Sequence, residues 1–428
     1  MLERVFHLEA AGTDARRELV AGATTFLTMA YIMFVNPRIL GAAGLDPGAA
    51  FVATCLASAL TCLIMGFYAN LPIALAPGMG LNAYFAFTAV PALHGDWRLA
   101  LGCVFLSGAL FVAISLTPAR EWLLNAIPRS LKLAIAAGIG LFLALLGFAN
   151  AGLIAASPAT LVQQGVLTDP RVLIAAGAFV LMAALVARRI AGAVLIGIVA
   201  ATLAAVLLHV EPAPGIAALP PPLAPTLLQM HFSGPAGLIA TSTLMFLLID
   251  MLDTSGTLAG VAHEAGLLDE RGRLPNARRA LFADAAGTMI GAALGTSPVT
   301  AYIESAAGVQ AGGRTGLTAV TVALLFLLSL FLAPLAAAIP AYATAPALIF
   351  VAVLMARALK EIAWDDLTEA APALVTALAI PFTYSIASGI GIGFIAYAAV
   401  KIASGRRRDV NAAVALIALA FALKIALT

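Results

Sequence analysis

Residues 249–257, with the sequence IDMLDTSGT, place two carboxylates inside a long apolar segment. A second stretch further along the chain, residues 296–308 (TSPVTAYIESAAG), contains another carboxylate close to a proline. A charged side chain within a membrane-spanning segment is costly, and it usually faces a cavity on the path of a substrate or an ion. We therefore expect these two stretches to form a binding site near the membrane midplane, with the rest of the chain as its scaffold.

The composition of the chain indicates a polytopic helical membrane protein. Of its 428 residues, 62% are hydrophobic and 10% are charged, and the mean hydropathy is +1.04. Ordinary soluble domains carry about 25% charged residues. The apolar runs are long enough to cross a bilayer as helices, and they lack the strict alternation of outer-membrane barrel strands. The net charge of +2 gives no reason to expect a nucleic-acid partner.

Hydropathy predicts fourteen membrane elements. The continuous candidates are 18–36, 50–68, 98–117, 131–149, 171–187, 191–208, 236–258, 279–294, 315–333, 343–358, 369–386 and 389–403. Two shorter elements, 76–85 (APGMGLNAYF) and 296–308, are interrupted by glycine or proline. A final apolar run, 411–428, is interpreted either as a further span or as a helix lying on the bilayer.

The interrupted elements are third and tenth in order, so each is the third of a set of seven. Interrupted segments at matching positions in two halves are typical of inverted repeats with a binding site at the midplane. Basic residues are concentrated at alternate ends of the predicted spans, which by the positive-inside rule places the N-terminus in the cytoplasm. These basic residues include Arg120, Arg188, Arg271, Arg314 and Arg406.

The polar residues of the two stretches are candidates for ligand contact. Asp250 and Asp253 are three residues apart, so they lie on neighbouring faces of one helix, and Thr254 continues that polar stripe. Glu304 follows Pro298, where a half-helix is expected to begin and its free N–H groups can stabilise a carboxylate. Asp250 could instead be a structural carboxylate bonded to threonines or backbone.

The partner break contributes an amide and close backbone. Asn82 follows Gly78 and Gly80, which allow backbone to approach a ligand closely, and its side chain offers a donor and an acceptor. A role as a backbone cap is the alternative for Asn82, and a role in helix packing is the alternative for Asp284. Nearby aromatic residues are Phe26, Tyr31, Tyr84, Phe85 and Tyr302. Together these groups suit a flat, neutral heteroaromatic ligand with N–H and C=O edges, and no Arg or Lys lies beside them to favour an inorganic anion.

Several motifs together resemble the AzgA-like purine permeases, which belong to the broader group of nucleobase–cation symporter-2 and nucleobase–ascorbate transporters. The motifs are 22–32 (GATTFLTMAYI) with 35–37 (VNP), 76–85, 250–258 (DMLDTSGTL), 300–308 (TAYIESAAG) and 381–386 (PFTYSI). The match covers nearly the whole chain. The resemblance implies import of purine bases such as hypoxanthine, guanine or adenine by proton symport, through an elevator-like alternating-access motion in the inner membrane, and it is compatible with a homodimer.

The resemblance also implies a division into a core domain and a gate domain, each built from both inverted repeats. The expected core parts are 18–117 and 236–333, and the expected gate parts are 118–210 and 334–405. A cytoplasmic N-terminal segment (1–17), an external loop (211–235) and a basic stretch with an apolar tail (406–428) complete the division.

In relatives the eighth and tenth elements each supply an acid to the base. Asp253 fits the spacing of the Glu-x-x-Gly pattern of the uracil and xanthine branches, so the resemblance assigns the ligand role to Asp253 and leaves Asp250 as support or proton site. The predicted substrate-binding residues are Asp253, Glu304, Asn82, Gly80, Phe26, Phe85, Ser305 and Thr254. The candidates for proton coupling are Asp250, Asp253, Glu304 and Asp284. Neither a metal nor an organic cofactor is expected.

Two other classes of protein are alternatives. An anion carrier or channel on the same scaffold would be favoured by a basic residue in the tenth element, where this chain has Glu304 and Ser305. An intramembrane enzyme would need a nucleophile with its base, or a metal set. Asp250 and Asp253 resemble a two-acid protease site, but the sequence offers no matching partner motif.

Overall fold

A computed structural model describes residues 2–115, 127–157, 160–212, 218–264, 267, 274 and 276–427. Within these residues the chain is mainly helical, and nine helical segments are long and apolar enough to cross a membrane. The prediction of a polytopic helical membrane protein is confirmed. Among the basic residues that predict the orientation, Arg120 and Arg271 lie outside the described residues.

The helices and strands are numbered here in chain order. Those before residue 210 are α1 (Leu2–Phe6), α2 (Ala15–Met29), α3 (Ile32–Ala42), α4 (Pro47–Ile64), β1 (Leu75–Pro77), α5 (Met79–Tyr84), α6 (Val90–Ala92), α7 (Trp97–Ser115), α8 (Arg129–Asn150), β2 (Ile154–Ser157), β3 (Leu161–Gln164), α9 (Pro170–Ala187) and α10 (Ala193–Leu207). The later ones are α11 (Ala236–Glu264), α12 (Ala277–Leu294), β4 (Val299–Ala301), α13 (Ser305–Gln310), α14 (Gly316–Ser329), α15 (Ala333–Ala338), α16 (Ala341–Ala356), α17 (Leu367–Phe382), α18 (Ile386–Ala403) and α19 (Ala412–Leu427).

Many of the apolar helices begin at a side chain that accepts a hydrogen bond from a free N–H group of the first turn. These N-caps are Asp14 for α2, Asp46 for α4, Asp169 for α9, Thr315 for α14, Asp366 for α17 and Ser385 for α18. Ser, Thr, Asp and Asn are the favoured residues at this position. Because each cap precedes an apolar run, the helices begin within a few residues of the segments predicted from hydropathy.

The structure departs from the predicted elements at several places. The first element, 18–36, is two helices, because α2 ends at Met29 and α3 begins at Ile32. The hydroxyl of Thr28 donates to the carbonyl of Thr25 at 2.7 Å, a local bond that competes with the helix near its end. The eleventh element leaves α-helical geometry after Ser329. A short hairpin of β2 and β3 was not predicted.

The two interrupted elements pair with each other as a two-stranded antiparallel sheet. The paired residues are Leu75 with Ala301, Ala76 with Thr300 and Pro77 with Val299. The N–H of Gly78 donates to the carbonyl of Pro298 at 3.0 Å and continues the pairing past Pro77. In a membrane every backbone polar group needs a partner. Strand pairing supplies partners where proline and glycine break the helices.

By their internal contacts, the residues form two compact units. The first comprises Met1–Leu116 and Val166–Pro346, and the second comprises Thr117–Gly165 and Ala347–Thr428. Both interrupted elements belong to the first unit, together with the helices that carry the predicted site. The predicted division into core and gate domains stays a prediction.

In the second unit α17 packs against α8 and α18, and α19 packs along α18. Lys401 at the end of α18 is buried, and it pairs with Glu369 at 2.5 Å and with Asp409 at 3.2 Å. Asp366 before α17 accepts hydrogen bonds from Thr368 and from Arg406, and these bonds lower its pKa to about 2. α19 takes up most of the apolar run 411–428, and it packs against α18.

Candidate functional site

Asp284 on α12 holds the outer edge of β4. Its Oδ1 accepts from the backbone N–H of Ala301 at 3.1 Å and from the hydroxyl of Thr254 at 2.7 Å. The Thr254 oxygen lies 2.7 Å from the hydroxyl of Thr300 in the same strand. An unpaired strand edge inside a membrane would leave backbone groups without partners. The structure therefore gives Thr254, a predicted substrate contact, two hydrogen bonds that support the strand.

Asp250 on α11 is 1% exposed and approaches the same strand from another helix. The hydroxyl of Thr288 lies 3.0 Å from Oδ2 of Asp250 and 3.0 Å from the carbonyl oxygen of Val299. Oδ1 of Asp250 and Oδ2 of Asp284 are buried and have no hydrogen-bond partner within the described part of the chain. The two carboxyl groups also repel each other when both are charged. Each acid thus has one oxygen bound to the scaffold and one oxygen free.

Asp253 and Glu304 differ from these two acids because they are only partly buried. Asp253 accepts no hydrogen bond from the residues that the structure describes. Glu304 immediately precedes α13, as predicted for a half-helix start, and its Oε1 accepts from the hydroxyl of Tyr31 at 2.7 Å. The two carboxylates are close enough to interact electrostatically. The structure thus brings together the two acids expected to bind a ligand.

Asn82 in α5 is fully buried, and its amide is held by Asn36 of α3. Nδ2 of Asn82 donates to Oδ1 of Asn36 at 3.1 Å. The amide oxygen of Asn82 has no partner among the described residues. Buried side-chain oxygens are normally hydrogen-bonded, so an unpartnered one in this position calls for an explanation. A direct explanation is that this oxygen accepts a hydrogen bond from a donor group of a bound ligand.

The predicted aromatic residues divide into buried and accessible ones. The ring of Phe85 is fully buried and lies 6.3 Å from the ring of Phe246. The ring of Phe26 is partly exposed and packs edge-on against Phe326 at 5.2 Å. The hydroxyl of Tyr302 donates to the carbonyl of Pro77 at 2.6 Å and links the two interrupted elements. Of the two residues expected to stack on a ligand, Phe26 has ring surface available in this structure.

Ser305 and Gly80, the remaining predicted contacts, lie in the short helices that follow the strands. The Ser305 oxygen accepts from the N–H of Ala74 at 3.0 Å, so this hydroxyl secures the backbone before β1. Gly80 is buried in the first turn of α5, two residues before Asn82. Both residues therefore lie beside the paired strands.

Sequence reasoning missed Tyr31, Asn36 and Thr300 as site residues. Tyr31 was identified only as a nearby aromatic side chain, and Asn36 only as part of a motif. Both are polar groups in an otherwise apolar segment, and that pattern could have marked them. Their partners, Glu304 and Asn82, are far away in sequence, so only the fold reveals the contacts.

The chemistry of the site follows from its charges. None of the four acids forms an ion pair with a described residue, and the described residues contain no group of three or more His, Cys, Asp or Glu arranged to hold a metal. The acceptors without a partner among the described residues are the carboxylate of Asp253 and the buried oxygens Oδ1 of Asp250, Oδ2 of Asp284 and Oδ1 of Asn82, and the carboxylate of Glu304 lies close to that of Asp253. Such a site can accept N–H groups of a ligand, and its carboxylates can take up protons.

Comparison with known proteins agrees with a transport function. The Permease family profile matches residues 16–392. The chain is 48% identical to the adenine permease AdeP of Escherichia coli K12, over 99% of this chain and 96% of the relative. It is 43% identical to the guanine/hypoxanthine permease PbuG of Bacillus subtilis 168, over 96% of each chain.

Solved structures show the same fold at low sequence identity. The transmembrane domain of the cyanobacterial bicarbonate transporter BicA superposes with a TM-score of 0.67 at 16% identity, covering 86% of this chain and 96% of that chain. SLC26A9 superposes with a TM-score of 0.63 at 11% identity, covering 91% of this chain and 65% of that chain. At such identities the likeness concerns the fold and not the transported solute.

Proposed function

The chain belongs to the Permease family, and from this membership and the geometry of its site we propose that it is a secondary active transporter that imports purine nucleobases with protons. Its multi-pass helical fold provides the scaffold for such transport. The relatives that are named for adenine and for guanine/hypoxanthine make a purine the first ligand to test.

The observation that carries the proposal is the set of free acceptors around the paired strands. Asp253, Glu304 and the amide oxygen of Asn82 can each accept a hydrogen bond from a ligand. A purine base presents ring N–H groups and exocyclic amino groups along its edges, and it is flat enough to lie against an aromatic ring such as Phe26. An inorganic anion would be repelled by two carboxylates, so the anion-carrier alternative is not favoured.

The contacts of Asp250 support a proton at that acid. The single proton of the Thr288 hydroxyl cannot reach both Asp250 and the carbonyl of Val299, although both oxygens lie 3.0 Å away. If Asp250 is protonated, its Oδ2 donates to Thr288 and Thr288 donates to Val299, so both of these contacts are satisfied, and Oδ1 of Asp250 stays without a partner among the described residues. Asp284 accepts two donors and suits the charged form. Two buried carboxyl groups that repel each other cannot both be charged without a large cost, so the pair binds one proton.

The arrangement of the paired strands supports the remaining parts of the proposal. β1 and β4 are antiparallel, and each is followed by a short helix, as two inverted repeats of seven elements would require. In this proposal the N-terminus is cytoplasmic, the protein lies in the inner membrane, and residues 18–117 with 236–333 move as an elevator against the gate parts.

Uptake by purified protein in liposomes tests the proposal. With an inward proton gradient, we expect accumulation of labelled adenine or hypoxanthine and none of bicarbonate or sulfate. Asp253→Asn should weaken base binding by about 10- to 100-fold, because it removes a charged acceptor. Asp250→Asn mimics the protonated acid, so base binding should persist while the response to the proton gradient disappears.

Asp365→Asn is the matched control, because Asp365 is exposed and far along the chain from the site. It should leave both measurements unchanged. Accumulation of sulfate without any purine would overturn the proposal, as would normal base affinity in Asp253→Asn. Gradient-driven uptake that survives in Asp250→Asn would remove Asp250 from the proton path.

A further inference from the structure

Asn36 forms four hydrogen bonds in the interior of the first unit and is fully buried. Its Nδ2 donates to the hydroxyl oxygens of Thr54 at 2.9 Å and Thr296 at 2.8 Å. Its Oδ1 accepts from Nδ2 of Asn82 at 3.1 Å and from the hydroxyl of Ser297 at 3.3 Å. All donors and acceptors of this amide are therefore used. One side chain ties together α3, α4, α5 and the segment before β4.

The orientation of the Asn36 amide is determined by Thr54. The hydroxyl of Thr54 donates its only proton to the carbonyl of Ala50 at 2.6 Å. Its oxygen can therefore only accept from Asn36, so the NH₂ group of Asn36 must face Thr54. The carbonyl oxygen of Asn36 then faces Asn82.

The orientation of the Asn36 amide also determines the orientation of the Asn82 amide. Because Asn82 meets a carbonyl oxygen, it must present its NH₂ group to Asn36. Its own carbonyl oxygen points away from Asn36 and is the buried atom without a partner in the described chain. A backbone carbonyl on α4 thus determines, through three side chains, that Asn82 offers an acceptor and not a donor.

We infer that Asn36 and Thr54 are positioning residues that set the hydrogen-bond polarity of Asn82 toward a bound base. The inference rests on the proposed function, since it assigns the free acceptor of Asn82 to a purine N–H. Neither residue has a donor left for a base, because the donors of both are used within the protein. Their effect is to select bases that carry a donor at the position facing Asn82.

Thr54→Val is the most direct variant, because valine keeps the shape of threonine and removes its hydrogen bonds. Without Thr54, Thr296 can donate to Asn36, which is then free to turn over and to turn Asn82 with it. Adenine has an acceptor at N1 and a donor in its 6-amino group, whereas hypoxanthine has a donor at N1 and an acceptor in its 6-oxygen. We therefore expect the ratio of their dissociation constants to shift by about tenfold or more in Thr54→Val.

Two further variants separate this effect from general damage to α4. Asn36→Asp still presents an acceptor to Asn82, so it should keep the wild-type ratio even if both affinities fall. Thr61→Val is the matched control: Thr61 lies on the same helix, is fully buried, and donates to the carbonyl of Ala57 at 2.7 Å. It should keep the wild-type ratio. An unchanged ratio in Thr54→Val, or an equal shift in Asn36→Asp or Thr61→Val, would overturn the inference.

A second measurement needs no ligand and separates this inference from the proposed function. If the wild type bound no purine at all, the proposed function would fail, and the coupling would be judged by thermal unfolding alone. The shifts in melting temperature caused by Thr54→Val and Asn82→Leu should be non-additive in the double variant, because both residues bond to Asn36. Additive shifts would show that Thr54 does not act on Asn82.

Discussion

The two interrupted elements use the same backbone design but carry different chemistry. The first arm, β1 with α5, presents a neutral amide, Asn82. The second arm, β4 with α13, presents a carboxylate, Glu304. Their outer edges differ in the same way, since the thiol of Cys62 bonds the first arm and the carboxylate of Asp284 bonds the second. Paired strands therefore fix the positions of Asn82 and Glu304, and the side-chain type decides the charge at each position.

The first predicted element serves both arms. Tyr31, where α2 gives way to α3, donates to Glu304 of the second arm. Asn36, one turn into α3, accepts from Asn82 of the first arm. A neutral donor thus orients the acid, and a neutral acceptor orients the amide. The contrast between the arms predicts that disturbing the second arm has larger effects, because hydrogen bonds to charged groups are the stronger ones.

The largest effect on stability is expected for Asp284→Ala. It leaves the N–H of Ala301 without an acceptor and removes the carboxylate that Thr254 bonds, so that Thr254 keeps only its contact with Thr300. We expect a loss of about 3 kcal/mol in the free energy of unfolding, because a buried backbone donor becomes unpaired and the bond from Thr254 to the carboxylate is lost. Asp284→Asn keeps an acceptor oxygen in place and should cost no more than about 1 kcal/mol. Thermal unfolding in detergent compares the two variants.

Asp365→Ala serves as the control for Asp284→Ala and should leave the melting temperature unchanged, because Asp365 is exposed. Equal destabilisation by Asp284→Ala and Asp284→Asn would mean that the charge of Asp284, and not its hydrogen bonds to β4, matters. The second arm would then not depend on its edge contacts in the way the structure indicates.

An intermediate effect is expected for Tyr31→Phe. This change removes the hydroxyl that donates to Glu304 and leaves the ring in place. Without it, Glu304 is free to turn from the ligand position, and we expect base affinity to fall by about tenfold, the typical value of a hydrogen bond to a charged group. Equilibrium binding of labelled base to purified protein measures the change.

Tyr68→Phe is the matched control for Tyr31→Phe. The Tyr68 ring is half-exposed and packs against Phe282 in the same unit. Its affinity for the base should equal that of the wild type. If Tyr31→Phe also bound the base normally, Glu304 would not need the hydrogen bond from Tyr31. The first predicted element would then orient only the first arm, through Asn36 and Asn82.

The sequence was sufficient for the helices and for the location of the breaks. Long apolar runs between polar caps leave few alternatives in a bilayer, so most of the predicted segments coincide with helices, with the first and the eleventh as exceptions. Pro77 and Pro298 marked the breaks correctly. Pro298 also predicted that a half-helix begins near Glu304, and α13 begins at Ser305.

Pairing of the breaks could not be predicted from the sequence. Leu75 and Ala301 are apolar residues whose strand contact depends on the distant helices that bring them together. The different contacts of the acids could not be predicted from the sequence either. Asp250 and Asp253 are neighbours on one helix, yet Asp250 is bonded to Thr288 and Asp253 accepts no hydrogen bond from the described residues.

The smallest effect is expected for Cys62→Ala on the first arm. The thiol accepts from the N–H of Leu75 at 3.2 Å and donates to its carbonyl at 3.3 Å. Thiols form weak hydrogen bonds, so we expect a loss of about 1 kcal/mol or less in thermal unfolding. Cys55→Ala, a change to another buried cysteine of α4, corrects for the lost volume. If Cys62→Ala destabilised the protein as much as Asp284→Ala does, both edges would matter equally, and the difference between the arms would lie only in Asn82 and Glu304.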